Sequence, residues 1–176
     1  MKKYIQPLDY ADKILNAVKK GVLLNTKADG EVNTMSISWG TLGIQWRKPI
    51  FIVFVRGSRH TKNLLDKNPE FTISIPISEI DKNIIQVCGS QSGRDVDKFQ
   101  LLGLTQEAPA VNSVPGIREL PLTLECRVVY RQQQYPEYMM DPELFTHYPE
   151  NPVSIHDDYH TAYYGEIVSA YLIESE

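Results

Sequence analysis

Ala11, Ile14, Leu15 and Val18 recur at helical spacing, and Gly21 behind Lys19-Lys20 is a natural C-terminal stop, so residues 1–20 are predicted to hold one amphipathic helix. The period then changes. Val22-Leu23-Leu24 and Val32 to Trp39 flank Ala28-Asp29-Gly30-Glu31, and Asp-Gly between apolar runs predicts an antiparallel hairpin. Ile50 to Val55, following Pro49, is continuously apolar and reads as a strand buried on both faces. Ser58 through Asn68 reads as a helix capped by Ser58, with Leu64-Leu65 toward the core and Asn68-Pro69 ending it. Phe71, Ile73 and Ile75 alternate with Thr72 and Ser74, which predicts a strand with one apolar face.

Ile80, Ile84 and Val87 suggest a short helix, and Gly89-Ser90-Gln91-Ser92-Gly93 is too polar and glycine-rich to continue it. Arg94 to Leu102 returns to helical spacing, with Gly103 as its stop. Leu122, Leu124, Cys126, Val128 and Tyr130 alternate with Thr123, Glu125 and Arg127, the pattern of a long half-buried strand. Residues 132–158 are rich in proline and tyrosine without a sustained period, an ordered but irregular excursion whose aromatics need something to pack on. Tyr163 to Ile173 is apolar on both parities, so both faces of a last strand must be covered. About six strands with short helices between some of them favour a closed or nearly closed antiparallel barrel over an open parallel sheet. The expected fold class is β-rich α+β.

Length and charge narrow the picture further. A chain of 176 residues suits a single domain over 1–176, and a net charge of −4 with interspersed signs argues against nucleic acid as a partner. Met1-Lys2-Lys3 has no apolar run behind it, so neither a secretion signal nor a membrane span is readable and a cytoplasmic protein is expected. The two cysteines, Cys88 and Cys126, have no CxxC spacing and no matching histidines, which favours buried reduced thiols over a zinc site or a disulfide.

Four segments carry candidate chemistry. In Arg56-Gly57-Ser58-Arg59-His60-Thr61 a strand ends and a helix begins, and free N–H groups, hydroxyls and arginines there can cradle a phosphate; a capped helix with solvated arginines has the same sequence. There is no GxxxxGK[ST], so no triphosphate is implied. Gly89-Ser90-Gln91-Ser92-Gly93-Arg94-Asp95, with Lys98 a turn further on, is either a second amide-rich loop over a ligand or an ordinary surface loop. Thr34, Ser36 and Ser38 share one strand face and Asn33, Met35, Ile37 and Trp39 the other. The small hydroxylated face admits a flat ring close to the backbone, or it is an edge strand facing water. Asp157-Asp158-Tyr159-His160 lacks metal-ligand spacing, and there is no GxSxG or spaced Cys/His pair for nucleophilic hydrolysis.

In order and spacing these segments resemble the flavin reductase-like group of flavin mononucleotide (FMN)-binding split barrels, which includes flavoredoxins. The likeness is carried by Asn33-Thr34-Met35-Ser36-Ile37-Ser38-Trp39, Lys48-Pro49, Arg56-Gly57-Ser58-Arg59-His60-Thr61, Phe71 to Pro76, Cys88 to Phe99 and Tyr163-Tyr164-Gly165-Glu166-Ile167. It implies an antiparallel FMN-binding split β-barrel with short peripheral helices, acting as a homodimer with FMN near the subunit interface. Ser36, Ile37, Ser38 and Trp39 would line the flavin, with Asn33 nearby; Arg56, Ser58, Arg59 and Thr61 would take the phosphate and ribityl chain; Ser90, Ser92, Gly93, Lys98 and Phe99 would close the site. Many members carry Gly-Asp-His before the last strand, with the histidine beside the nicotinamide. Here the segment is Asp158-Tyr159-His160, so FMN binding is the firmer implication and NADH or NADPH the weaker, with His160 the residue to orient the nicotinamide. The expected activity is hydride transfer from NAD(P)H to flavin and on to an acceptor; the alternative is a flavoredoxin-like carrier that exchanges electrons with a redox protein partner.

Overall fold

The computed structural model describes residues 1–148 and 159–174. Ten strands form: β1 (Lys2–Tyr4), β2 (Val22–Ala28), β3 (Glu31–Ile37), β4 (Gly40–Gln45), β5 (Lys48–Arg56), β6 (Glu70–Ile75), β7 (Gln106–Glu107), β8 (Gly116–Ile117), β9 (Leu122–Gln133) and β10 (His160–Ile173). Four α-helices accompany them: α1 (Ala11–Lys20), α2 (His60–Lys67), α3 (Lys82–Ser90) and α4 (Lys98–Leu102).

The main sheet runs β3-β2-β6-β9-β10-β5-β4, every pairing antiparallel, with β1 added beside the C-terminal part of β10. The sequence itself forces this sheet to curl. β3 and β4 stand at opposite ends of the path, yet only Ser38 and Trp39 separate them. Three Cα steps of about 3.8 Å reach at most about 11 Å. A flat path of the same strands, about 4.8 Å apart, would be nearly 30 Å wide. The sheet therefore rolls into a barrel split between β3 and β4, as the resemblance implied, with α1 packed on β4 and β6.

Alternation places two cores on opposite sides of the wall. Val22, Leu24, Ile37, Phe51, Val53, Phe71, Ile73, Leu124, Cys126 and Tyr163 point inward and close the barrel with Ile14, Ala17 and Val18 of α1. Leu23 points outward into a smaller cluster with Cys88, Leu104, Ile117 and Leu120, backed by Ile84 and Phe99. Both cysteines are buried.

Several expectations need correction. Thr72, Ser74, Thr123 and Glu125 are fully buried rather than on a wet face. The segment around β7 and β8 covers them: Thr72 Oγ1 donates to the Pro115 carbonyl at 2.7 Å, Ser74 Oγ accepts from the Ile117 N–H at 3.0 Å, and the Glu125 carboxylate accepts from the N–H groups of Ala110, Val111 and Asn112 at 2.5, 2.7 and 3.1 Å. Strand β4 is new, and Trp46 and Arg47 form its hairpin to β5 with φ of 52° and 61°, left-handed values the sequence does not advertise because neither residue is Gly, Asn or Asp. Ser58 does not cap α2; Arg59 holds that position without a side-chain cap. Helix α3 continues through Gly89 and Ser90, and α4 begins only at Lys98, where Asp97 accepts from the N–H groups of Phe99 and Gln100. Gln132 and Gln133 belong to β9, and the irregular excursion that follows makes short 3₁₀ turns at Pro136–Tyr138 and Pro142–His147. Its expected continuation over 149–158 lies outside the described residues. No helix among the described residues is long and apolar enough to cross a membrane.

Candidate functional site

The hairpin turn Asp29-Gly30 sets the register of β3 on β2, from Ala28 opposite Glu31 to Val22 opposite Ile37. That register presents Asn33 to the start of α2, where its Nδ2 donates to Thr61 Oγ1 at 2.9 Å, both side chains being buried. Thr61 Oγ1 thus accepts and keeps its own proton free to donate. The loop after α3 closes on the same point. A Cβ at Gly93 would collide with Asn33 Oδ1 and stand 3.4 Å from His60 Cδ2, so only glycine fits there without displacing its neighbours. Gly89 packs similarly on Ser36, with its would-be Cβ 2.6 Å from Ser36 Oγ. Arg94 Nη1 donates to the Ser58 carbonyl at 3.3 Å, which ties the two loops together.

Lys98 is the main electrostatic feature of this junction. Its ammonium is buried and donates to the carbonyls of Thr34 at 2.7 Å and Cys88 at 3.2 Å, with no carboxylate among its described bonds. Burial lowers its pKa; Cys88 opposes this in part, and the Arg59 charge adds a smaller push downward. Burial likewise pushes the Cys88 thiol up to about 11, which leaves it protonated and unreactive at neutral pH. Beside Glu31, His60 Nε2 lies 2.5 Å from Glu31 Oε1, while its Nδ1 is buried without a partner among the described residues. Asn33, Gly93, Lys98 and Phe99 line a polar cavity of about 590 Å³.

A second cluster forms where β10 enters the sheet, His160 standing opposite Arg56 on β5. The His160 ring is buried; its Nδ1 lies 2.9 Å from the Tyr148 hydroxyl and its ring centroid is 5.1 Å from that of Trp39. Burial depresses its pKa to about 4, with the Arg56 and Arg59 charges acting in the same direction, so the imidazole is neutral at pH 7. Arg56 donates to the His147 carbonyl at 2.5 Å and lies over the Tyr148 ring, which in turn stacks on Tyr159 at 4.4 Å. Ser38 and Trp39 line the neighbouring cavity of about 940 Å³. Arg59 connects the clusters, since its charge acts on both Lys98 and His160.

Most of the residues expected from sequence therefore meet at one corner. Asn33, Ser36, Ser58, Thr61, Gly93 and Lys98 gather around the loop junction, and Trp39, Arg56 and His160 form the adjoining group. Others do not join with their side chains. Ile37 is turned into the barrel core, Ser90 Oγ donates back to the Gln86 carbonyl inside α3, Ser92 Oγ accepts from the Arg94 N–H within its own turn, and Phe99 backs the outer core. Sequence reasoning missed His147 and Tyr148 because an aperiodic segment gives no signal of what it packs on. It also missed the Glu31–His60 pair, which is formed by register.

The donor set fits a phosphorylated flavin. Lys98 and Arg59 supply positive charge without a described carboxylate partner, the Thr61 hydroxyl proton has no acceptor among the described residues, and Gly89 and Gly93 bring backbone close to β3. The family model of the flavin reductase like domain matches residues 15–176. The chain belongs to the flavin reductase-like family. Flavoredoxin from Methanosarcina acetivorans is 27% identical, with a TM-score of 0.66 over 88% of this chain and 68% of that one. An FMN-binding domain of a flavin reductases-like enzyme from Shewanella baltica OS155 is 16% identical, with a TM-score of 0.67 over 98% of this chain and 77% of that one, a likeness of fold. An uncharacterized protein of Archaeoglobus fulgidus is 31% identical over 97 residues, 55% of this chain and 54% of that protein. The matches span about half the length of the curated relatives.

Proposed function

We propose that this protein is an FMN-dependent oxidoreductase of the flavin reductase type, taking a hydride from NADH or NADPH and passing electrons to an acceptor. The observation that carries the reading is the junction of two separate turns, Arg94 on Ser58 and Gly93 on the Asn33–Thr61 pair, around the buried ammonium of Lys98. When bound, FMN would supply the redox chemistry. The chain's share is binding and orientation: Thr61 and Arg59 hold the phosphate, Lys98 keeps positive charge in a partly dehydrated place, and Trp39 shields the ring side from water. With its pKa near 4, His160 serves as a neutral positioning group and not as a proton donor. FMN fluorescence titration tests the reading; protein that leaves FMN emission unquenched overturns it.

A second reading, electron transfer without direct use of nicotinamide, is favoured by the covering of His160, whose Nδ1 is engaged by Tyr148 and whose ring rests on Trp39. Anaerobic addition of NADH and NADPH separates the two: rapid flavin bleaching by either supports the reductase, and persistent colour supports the carrier. The proposal includes a homodimer. Its support is the aromatic group Trp46, Tyr130 and Tyr164 on the outer sheet, with Trp46 52% and Tyr130 46% exposed. A monomer at micromolar concentration in sedimentation would remove it.

A further inference from the structure

The larger cavity touches the candidate site through Ser38, Trp39, His147 and Tyr148, and the rest of its wall has no part in the reading above. Its volume of about 940 Å³ is that of a small-molecule site. Phe54 and Tyr164 line it from β5 and β10, and Tyr138, Met139 and Leu144 close it from the excursion opposite Trp39. Aromatic faces and a thioether grip a flat apolar ring through offset stacking and sulfur–aromatic contact. Gln132 supplies an uncharged donor and acceptor for ring oxygens, whereas the Gln133 amide is committed to Thr161 and to backbone carbonyls and Gln134 Oε1 accepts from Tyr148.

Charge argues against a dinucleotide in the same place. A diphosphate needs several cations or aligned amides. Lys19 is the sole Lys or Arg among the described lining residues, and Asp141 lines the same cavity. Arg56, the cation beside it, is committed to the His147 carbonyl and the Tyr148 ring. The sequence over 149–158 contains neither lysine nor arginine.

We propose that this cavity binds a flat, uncharged aromatic molecule of the quinone or naphthol class and does not accept a nicotinamide dinucleotide. The assignment of a quinone there as electron acceptor, taking two electrons and two protons to become the hydroquinone, rests on the FMN reading, because Trp39 and Ser38 would then stand between the two ligands; its binding does not. A nicotinamide reaching the flavin must use another face.

Equilibrium dialysis of menadione against the purified protein tests this, with FMN titrated separately on each sample. One saturable menadione site is expected. Leu144→Lys and Met139→Lys, at positions partly open to solvent, should each weaken it tenfold or more, leave FMN affinity unchanged, and recover in Leu144→Met. Excess NADPH should not displace menadione. Equal affinity in both lysine variants, or displacement by NADPH at matched concentration, overturns the proposal. Loss of FMN binding with menadione binding intact would refute the flavin reading and leave the cavity assignment standing.

Discussion

Replacing Gly93 by alanine tests whether the two loops act as one site. The new methyl would fall inside van der Waals range of Asn33 Oδ1, and 2.9 Å from Asn33 Cγ. Asn33 has a short side chain held by Thr61 at 2.9 Å, so it cannot swing aside at no cost. Either Asn33 rotates and breaks that buried bond, or the loop retreats and breaks the Arg94–Ser58 bond at 3.3 Å. A lost buried hydrogen bond costs about 1–3 kcal/mol, and overpacking costs a similar amount when the surroundings are rigid. The 91–97 loop is largely exposed and can yield, so Gly93→Ala should lower global stability by only about 1–2 kcal/mol. Affinity for FMN should suffer more, by about tenfold or beyond, because either relaxation separates groups that would share one phosphate; tenfold corresponds to about 1.4 kcal/mol. Urea denaturation reads the first quantity and FMN fluorescence titration the second. The control is Asn33→Ala: with the obstructing amide gone, adding Gly93→Ala should cost almost nothing more, a strongly non-additive cycle. Unchanged FMN affinity in Gly93→Ala, or additive costs in the double variant, would refute the argument that these turns converge on one ligand.

Thr61→Ala should weaken FMN binding by about 1–2 kcal/mol through loss of its hydroxyl donor, read by the same titration; unchanged affinity would take Thr61 out of the site. His160 binds fewer protons folded, with a pKa near 4, than unfolded near 6.5, so stability should be greatest above pH 6.5 and fall as pH drops toward 4. The gap corresponds to about 3 kcal/mol at most, reduced by solvent screening to about 1–2 kcal/mol. His160→Gln should flatten this part of the stability–pH curve in denaturant titrations, and an unaltered curve would show the imidazole is not responsible. Glu125→Gln replaces one of two carboxylate oxygens facing backbone N–H groups with an amide nitrogen that cannot accept, and should cost about 2–4 kcal/mol in urea denaturation; a loss under about 1 kcal/mol would mean the 110–112 turn is not pinned by that carboxylate.

The sequence by itself determined what local chemistry can determine. Period fixed α1 and its glycine stop, Asp29-Gly30 fixed the first hairpin, and alternation assigned Phe71, Ile73, Leu122 and Leu124 to the barrel interior. It also offered most of the residues at the loop junction as candidates, though a capped helix or a surface loop has the same sequence, and only the family resemblance tied the two loops to one ligand. What it could not decide depended on groups distant in the chain. The polar parity of β6 and β9 reads as a wet face until the 105–120 segment is laid over it and its backbone donors meet Glu125 and Ser74. Strand β4 stayed hidden because Trp46 and Arg47 take left-handed φ values only under tertiary compulsion. His160 is an ordinary histidine until Tyr148, Trp39 and the arginines surround it and drive off its proton. Local propensity records what a segment can do alone; burial, register and field come from what the rest of the chain brings against it.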